Sequence, residues 1–428
     1  MAFLYPFLIL LQPGILWPEL SVIKPEMSIA LIALVVGMYH RRASSERVAT
    51  QLKHPIFVAM AFFVLIQGFS VYYGGGRAIV DMTLFWLPYA VFVAASVMLI
   101  RDVKSLYQFL AGMLAGASVV IFYGLYAVAT HSPKLAGNRA GAYGMYENHN
   151  DYTFIIVMTM PFAYMLISYA KSRFSRVLLI GYVAACCLGT VLSLSRGGII
   201  ALVMMFAMLT WATTTGGRRV MTLSVLMVFG LGVIGWQFAA RDANQAGHYS
   251  TEDAKNSRYE LWRAARKVFE AHPVLGVGSG RFSEHAQEYA ELSGDQKGKV
   301  THNTYLEVIT GSGLLGFVSF MAMLWHIVKE STRRRPPRSL GVPMQIKIAC
   351  AVSILALLFR AMLDAKTYDW SFFFLSVIAI AIATMKPTGF EADTGTVPLP
   401  SDALPGAFRH RVSAVSSARP AVYHSSRQ

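Results

Sequence analysis

The stretch from residue 257 to residue 316 organises the chain. It begins as SRYELWRAAR (257–266), passes through HPVLGVGSGRF (272–282) and ends in HNTYLEVITGSGLLG (302–316). Charged and hydrogen-bonding side chains are dense up to Asn303, after which apolar residues and glycines dominate. The stretch therefore predicts a water-exposed segment that runs into a membrane-spanning helix.

The composition of the whole chain is that of a membrane protein. Of its 428 residues, 55% are hydrophobic and only 14% are charged, and the mean hydropathy is +0.47. Soluble proteins carry about 25% charged residues. The formal net charge of +15 sits in short clusters between apolar runs, which favours anionic lipid over nucleic acid as the counter-charge. All three cysteines, Cys186, Cys187 and Cys350, fall inside apolar runs, so no disulfide framework or metal knuckle is indicated.

The apolar runs predict an all-α polytopic membrane protein. About twelve spans are expected: 3–17, 27–40, 54–73, 81–100, 106–129, 152–170, 177–193, 197–214, 220–239, 303–328, 345–363 and 370–385. Nine spans then occupy 1–239, a long loop occupies 240–302, three spans occupy 303–386, and the Ser- and Pro-rich tail 387–428 is expected to be disordered.

The short loops predict the orientation. Sixteen basic residues fall on one side: Arg41, Arg42, Arg47, Lys53, Arg101, Lys104, Lys171, Arg173, Arg176, Arg218, Arg219, Lys329, Arg333, Arg334, Arg335 and Arg338. Six fall on the other: Lys24, Arg77, Lys134, Arg139, Arg196 and Lys366. Because the side richer in Lys and Arg faces the cytoplasm, both termini are expected inside and the 240–302 loop outside.

The long loop carries a helix signal. Ser257 and Glu260 have the spacing of a capping box, which predicts a helix start, and Pro273 predicts its end. Arg258 would then lie in the first turn, where the helix dipole favours anions. This suggests that Arg258 has an anionic partner, although a surface ion pair with a nearby carboxylate explains it as well. The helix is expected at the membrane surface, with Trp262 and Phe269 on its apolar face.

The glycine-rich part of the loop predicts a tight turn. Gly276, Gly278 and Gly280 alternate with other residues in the manner of a phosphate-binding loop, but no strand precedes them. A dinucleotide site needs that strand. The better prediction is a turn that redirects the chain, with backbone amides near a phosphate as a further possibility, and Arg281 follows directly.

Two residues at predicted span boundaries are candidates for chemistry. His302 precedes a span and can act as a general base near neutral pH, or serve only as an interfacial anchor. Arg196 lies in a hairpin of three residues between two spans, where it can bind a phosphate through two hydrogen bonds or simply extend toward water.

The 136–151 loop adds polar groups on the same predicted face, among them Arg139 and His149. Its mixture of aromatic, amide and carboxylate side chains suits sugar hydroxyls. Glu147, His149 and Asp151 could be considered as metal ligands, but alternation along an extended segment would spread them over opposite sides. We therefore predict no metal site.

Four motifs together resemble the O-antigen ligase family, which includes O-antigen polymerase-like and protein O-oligosaccharyltransferase enzymes. They are SLSRGG (193–198), SRYELW (257–262), HPVLGVG (272–278) and HNTYL (302–306) followed by glycines. Their order and their placement between spans carry the resemblance, which covers most of the chain.

The resemblance implies a metal-independent, inverting glycosyltransferase with a membrane fold of the GT-C kind and no cofactor. It implies a glycan donor on undecaprenyl diphosphate, a sugar hydroxyl of lipid A-core as acceptor, and a site on the periplasmic face of the bacterial inner membrane. Arg196 and Arg258 would bind the diphosphate, and His302 would activate or position the acceptor hydroxyl. Arg281, Arg139 and His149 are further candidates for substrate binding.

Other functions fit parts of the sequence. A polymerase that extends an O-antigen or exopolysaccharide, or a protein O-oligosaccharyltransferase, would use the same chemistry on another acceptor. A transporter of polysaccharide or lipid would place charged residues in the middle of spans. Arg360 and Asp364 come nearest to that pattern, and their spacing predicts a local ion pair one helical turn apart.

Overall fold

The computed structural model describes residues 1–41, 45–70, 75–132, 139–244, 251–292, 296–333, 342–367 and 369–385. Over these ranges the chain is helical and has no β-strand. The predicted all-helical class is therefore confirmed for the described residues. The predicted disordered tail, 387–428, lies outside them.

Sixteen α-helices occur in the described ranges. They are α1 (Leu4–Leu11), α2 (Pro13–Leu16), α3 (Pro25–Arg41), α4 (Ser45–Leu52), α5 (Pro55–Phe69), α6 (Gly75–Leu99), α7 (Val103–Ala129), α8 (His149–Leu166), α9 (Arg173–Leu192), α10 (Arg196–Thr213), α11 (Gly216–Asn244), α12 (Thr251–Ala271), α13 (Phe282–Tyr289), α14 (Thr304–Thr332), α15 (Met344–Ala361) and α16 (Trp370–Thr384). Each predicted span coincides with one of these helices or, for 3–17, with the pair α1 and α2. Helix α4 was not predicted from the sequence.

The apolar helices make this a multi-pass membrane protein. In the described part of the chain, seven helices are long and apolar enough to cross a bilayer: α7, α8 with the turn after it, α9, α10, the first part of α11, α14 and α15. Five shorter apolar helices, Leu4–Leu16, Pro25–Tyr39, Pro55–Phe69, Phe85–Leu99 and Trp370–Thr384, match the other predicted spans. The total of twelve crossings and their direction stay predictions.

Helix α16 forms the centre of the helical bundle. Every residue from Trp370 to Ile382 is buried, as expected for a helix that is apolar on all faces. It packs against α5, α6, α14 and α15, and the ring of Trp370 lies 4.2 Å from that of Tyr89 on α6. This packing fixes the loop between α15 and α16, which enters the candidate site.

One predicted boundary is wrong. Helix α12 begins at Thr251, so Ser257 lies inside the helix and cannot be its N-cap. Arg258 is consequently not in the first turn, and the argument that the helix dipole disfavours a cation there no longer applies. The predicted end before Pro273 is confirmed, since α12 ends at Ala271.

Helix α12 has a buried face that was not predicted from the sequence. It consists of Leu261, Ala264, Ala265 and Val268, which pack with Val277, Phe282 and Ala286. Trp262 is 39% exposed and Phe269 is partly buried, and the prediction that these two aromatic residues face the membrane surface stays a prediction. Small alanines allow the close approach of this helix to α13 and α14, and the larger aromatic residues are left at the margin.

Candidate functional site

The hairpin between α9 and α10 places Arg196 at the start of α10. Leu194 adopts a left-handed conformation with φ 51°, and the Ser195 hydroxyl caps the helix by accepting from the Gly198 amide at 3.2 Å. Arg139 donates from Nε to the Ser193 carbonyl at 3.0 Å and from a terminal nitrogen to the Leu194 carbonyl at 3.2 Å. The Arg139 guanidinium therefore holds the hairpin that presents Arg196.

The turn that carries His302 is held by a buried carboxylate. His302 has φ 51°, an uncommon conformation for a residue with a side chain. The preceding Thr301 donates to the Glu307 carboxylate from its amide at 3.2 Å and from its hydroxyl at 2.9 Å. Asn303 caps α14 by accepting from the amides of Tyr305 and Leu306. The turn is thus tied to the helix on both sides of His302.

Helix α12 is attached to the same turn. The indole nitrogen of Trp262 donates to the Thr301 carbonyl at 3.0 Å. Arg258 lies four residues before Trp262, and residues four apart share one face of a helix. The Trp262 contact therefore brings the Arg258 side of α12 toward the His302 turn.

Asp364 connects His302 to the end of α15. Its carboxylate lies 3.7 Å from Nδ1 of His302 and 3.7 Å from a guanidinium nitrogen of Arg360. At these distances the contacts are electrostatic rather than hydrogen bonds. The Thr304 hydroxyl also donates to the Asp364 carbonyl at 2.7 Å and accepts from the Lys366 amide at 2.9 Å. The predicted pair of Arg360 with Asp364 is confirmed.

Arg360 joins three helices of the bundle. Its side chain is only 1% exposed. It donates to the Thr153 hydroxyl at 3.1 and 3.2 Å and to the Asn150 carbonyl at 3.0 Å, both on α8. A further contact at 3.5 Å reaches the Ser195 hydroxyl, which caps α10. A buried guanidinium requires such partners because desolvation of a charge is costly.

A second buried ion pair lies beside Arg360. The Lys366 ammonium is 2.5 Å from the carboxylate of Asp151 in the first turn of α8, and both side chains are about one-tenth exposed, at 9% and 11%. Asp151 was expected from the sequence only as a sugar or metal ligand, and this pairing was not predicted. Among the described residues, no group of three or more His, Cys, Asp or Glu side chains is arranged to hold a metal.

The three predicted catalytic residues surround the Arg360–Asp364 pair. Arg196 follows Ser195, which contacts Arg360. His302 contacts Asp364. Arg258 lies within electrostatic range of Arg360 and repels it. Each of the three is partly exposed, whereas Arg360 and Asp364 are buried. The result is a set of accessible cations and one imidazole arranged around a buried charged centre.

Two other predicted residues lie at separate points. Arg281 precedes α13, and its Nε donates to the Glu284 carboxylate at 2.8 Å. His149 is the first residue of α8, directly after its cap Asn148, and lies against Gly141. His149 thus belongs to the same end of α8 as Asp151, whereas Arg281 belongs to the glycine-rich turn.

The glycine-rich turn docks on a kink in α14. The amides of Val277 and Gly278 donate to the carbonyls of Thr310 and Gly311, each at 2.9 Å. Gly313 within α14 has φ 62° and ψ −163°, which opens the helix at that point. The tight turn is confirmed, and the amides of Val277 and Gly278 are occupied by this kink. That other backbone amides of the turn lie near a phosphate stays a prediction.

Two carboxyl groups in the α15–α16 loop have pKa values that are shifted in opposite directions. Burial alone would raise the pKa of the Asp364 carboxyl, but the contact with His302 and the positive charge of Arg360 lower it below its ordinary value. For Asp369, which caps α16, burial dominates and raises the pKa above the ordinary value despite its hydrogen bonds to Ser371. Asp364 is consequently held as a carboxylate beside His302.

These features define a class: a polytopic helical membrane protein with a cationic, histidine-containing site at one end of its bundle. Residues 180–321 match the family model described as O-Antigen ligase. The chain is also 23% identical over 236 residues to the exopolysaccharide production protein ExoQ of Rhizobium meliloti (strain 1021). That match covers 52% of this chain and 53% of the relative, so it spans about half the length of each. These two matches support the predicted resemblance to the O-antigen ligase family.

Proposed function

We propose that the protein transfers a glycan from a polyprenyl diphosphate carrier to a sugar hydroxyl at the membrane surface. The observation that carries the proposal is the position of His302 beside the Asp364 carboxylate, with the cations Arg196 and Arg258 around the same buried pair. Undecaprenyl diphosphate is the expected carrier, and the periplasmic face of the inner membrane the expected location.

The chemistry divides between the two kinds of group. Arg196 and Arg258 bind the diphosphate and neutralise the charge that develops as the bond between the sugar C1 and the diphosphate oxygen breaks. The acceptor oxygen forms the new bond to C1 from the opposite face, which inverts the configuration. His302 takes the acceptor proton, and Asp364 stabilises the imidazolium that results. The lipid diphosphate leaves as the product.

Lipid A-core is the acceptor that we propose first, because the matched family model carries the description O-Antigen ligase. A second acceptor is favoured by a separate observation, since the relative is named an exopolysaccharide production protein. In that case the acceptor would be the end of a growing exopolysaccharide chain. Both acceptors present a sugar hydroxyl, so the same residues serve in either reaction.

Deletion of the gene, with complementation by wild type, His302→Ala or His302→Gln, tests the reaction and separates the acceptors. Loss of all O-antigen-bearing lipopolysaccharide bands would identify a ligase, and loss of secreted exopolysaccharide with an unchanged ladder would identify a polymerase. We expect neither His302 variant to restore product although both accumulate in the membrane. Since a positioned base contributes ~10²- to 10⁴-fold, restoration of full product by His302→Ala would overturn the assignment.

A further inference from the structure

A groove opens between α10, α14 and α15 at the end of the bundle opposite His302. It encloses about 430 Å³, and its apolar lining includes Met208, Trp211, Ile348, Ala351, Val352 and Leu355. On α15, Lys347 lines the groove and Arg360 lies at the candidate site, thirteen residues away. At 1.5 Å per residue, the Lys347 end of the groove lies ~20 Å from Arg360. We call this feature the distal groove.

Cations are fixed at the rim of the distal groove. The Arg219 guanidinium stacks on the Trp211 ring, with its carbon 4.4 Å from the ring centre. Arg219 also donates from Nε to the Thr214 carbonyl at 2.8 Å. Arg333 lines the rim and is exposed, and its carbonyl accepts from the Lys347 ammonium. Stacking and hydrogen bonding hold Arg219 in place before any ligand arrives.

The sequence around the rim is strongly one-sided in charge. Residues 205–224, which enclose the α10–α11 connection, contain no Asp or Glu, and residues 325–347 contain only Glu330, which is buried. The second segment also carries a run of basic residues after α14: Arg333, Arg334, Arg335 and Arg338. An apolar groove with such a rim is complementary to a molecule that has an anionic head and a hydrocarbon tail.

We propose that the distal groove binds one anionic glycerophospholipid from the membrane leaflet opposite the His302 site. Arg219 and Arg333 bind its phosphate, and an acyl chain lies along Met208, Ala351 and Leu355. A small soluble anion would make no use of the apolar lining. The polyprenyl donor of the proposed reaction would carry its diphosphate ~20 Å away. The bound lipid would brace the ends of α10, α14 and α15.

Lipid retention by purified protein tests the charge requirement. The protein is reconstituted in nanodiscs of phosphatidylcholine with one-fifth phosphatidylglycerol, released gently into detergent, and analysed by native mass spectrometry for bound lipid. We expect wild type to retain one phosphatidylglycerol. The double variant Arg219→Gln/Arg333→Gln should retain at least ~10-fold less, because it removes both charges that bind the phosphate, and hydrogen bonds to charged groups are the strong ones. The matched control, Arg218→Gln, alters a neighbouring cation that does not line the groove and should behave as wild type.

A second variant tests the groove itself. Ala351→Phe fills the apolar lining and leaves Arg219, Arg333 and Lys347 unchanged, so it should also lower retention at least ~10-fold. Gly181→Phe on α9 adds the same ring where an added side chain meets open space, and should have no effect. Equal retention by Ala351→Phe and Gly181→Phe, equal retention of phosphatidylcholine, or a polyprenyl lipid in the wild-type peak would each overturn the proposal. Wild-type retention by His302→Ala would show that lipid binding is independent of glycan transfer.

Discussion

Two connections hold the candidate site in place, and they use different chemistry. The first is the buried charged cluster in which Arg360, Asp364, Lys366 and Asp151 join α8, α10 and the end of α15. The second is the contact of the glycine-rich turn with the kink in α14, which consists of backbone hydrogen bonds. One connection depends on side-chain charge and the other on the absence of side chains.

The difference shows how the two sides of the site can be perturbed separately. Removal of one charge from the cluster leaves its partner buried without compensation, which is far more costly than the loss of an exposed pair. The backbone contact has no titratable group, but it tolerates no added carbon where Gly276 approaches Thr310 and Gly311. Charge substitutions therefore test the first connection, and glycine substitutions test the second.

The largest effect is expected from Arg360→Ala. Its removal leaves Asp364 buried without its cation and deprives Thr153 and Asn150 of a donor. The free energy of unfolding should fall by about 3–5 kcal/mol, measured by thermal unfolding in detergent. Arg266→Ala is the control, because the Arg266 side chain is 80% exposed and its ion pair with Glu270 lies in solvent. If both variants unfolded at the same temperature, the cluster would not hold the site together.

Gly276→Ala should have the next largest effect. A Cβ there would lie 2.4 Å from the Thr310 carbonyl oxygen and 2.6 Å from the Gly311 carbonyl carbon, and the residue has φ 68°. Overpacking and left-handed strain together predict a loss of about 2–5 kcal/mol. Gly280→Ala has a similar φ of 72° but open space around it, so only the strain of about 1–2 kcal/mol applies. Equal losses in the two variants would show that contact with α14 contributes nothing.

Acid should weaken the charged connection selectively. The pKa of Asp364 is below its ordinary value in the folded protein, so its contribution is complete above about pH 3.9 and is lost as pH falls through the folded value. Protonation of this one carboxylate can change the free energy of unfolding by at most about 1.4 kcal/mol per pH unit. Asp364→Asn should flatten the acid limb of the stability curve, whereas Gly276→Ala should lower stability without changing that slope. If the acid side of the stability curve were the same in Asp364→Asn as in wild type, protonation of Asp364 would not be what weakens the charged cluster.

The smallest effect concerns Asp369. Its pKa is raised by burial, so above the ordinary carboxyl pKa its ionisation reduces stability until pH passes the folded value. Asp369→Asn removes the charge and keeps an oxygen to cap α16, so thermal stability at neutral pH should equal or exceed that of wild type. Asp369→Ala also loses the cap, whose hydrogen bond from the Ser371 amide is 2.8 Å. It should be about 1 kcal/mol less stable than Asp369→Asn; the reverse order would show that the cap contributes nothing, and an Asp369→Asn variant less stable than wild type would show that the charge itself stabilises the loop.

Much of the helical architecture could be predicted because apolar runs of bilayer length are a local signal. The hairpin before Arg196, the cap of α14 at Asn303 and the end of α12 before Pro273 were likewise predictable from neighbouring residues. The start of α12 was not, because a capping pattern is also compatible with the interior of a helix.

The charged cluster was less visible in the sequence. Arg360 and Asp364 are one turn apart, so their pairing could be predicted, and a charged residue in an apolar span is itself a signal of function. Lys366 and Asp151 are more than two hundred residues apart. Nothing local identifies them as partners, since their contact depends on how α8 packs against α15.

The sequence by itself determined the membrane class and the resemblance to the O-antigen ligase family, and it predicted which residues would carry phosphate and acid–base chemistry. These follow from hydropathy, from the order of short motifs and from the side chains themselves. Only the tertiary structure decided that Arg139 holds the hairpin, that the glycine-rich turn binds α14, and that Arg360 and Asp364 lie between Arg196 and His302. The reason is physical: local patterns specify helices and their ends, whereas the partner of a buried charge is set by the packing of helices distant in sequence.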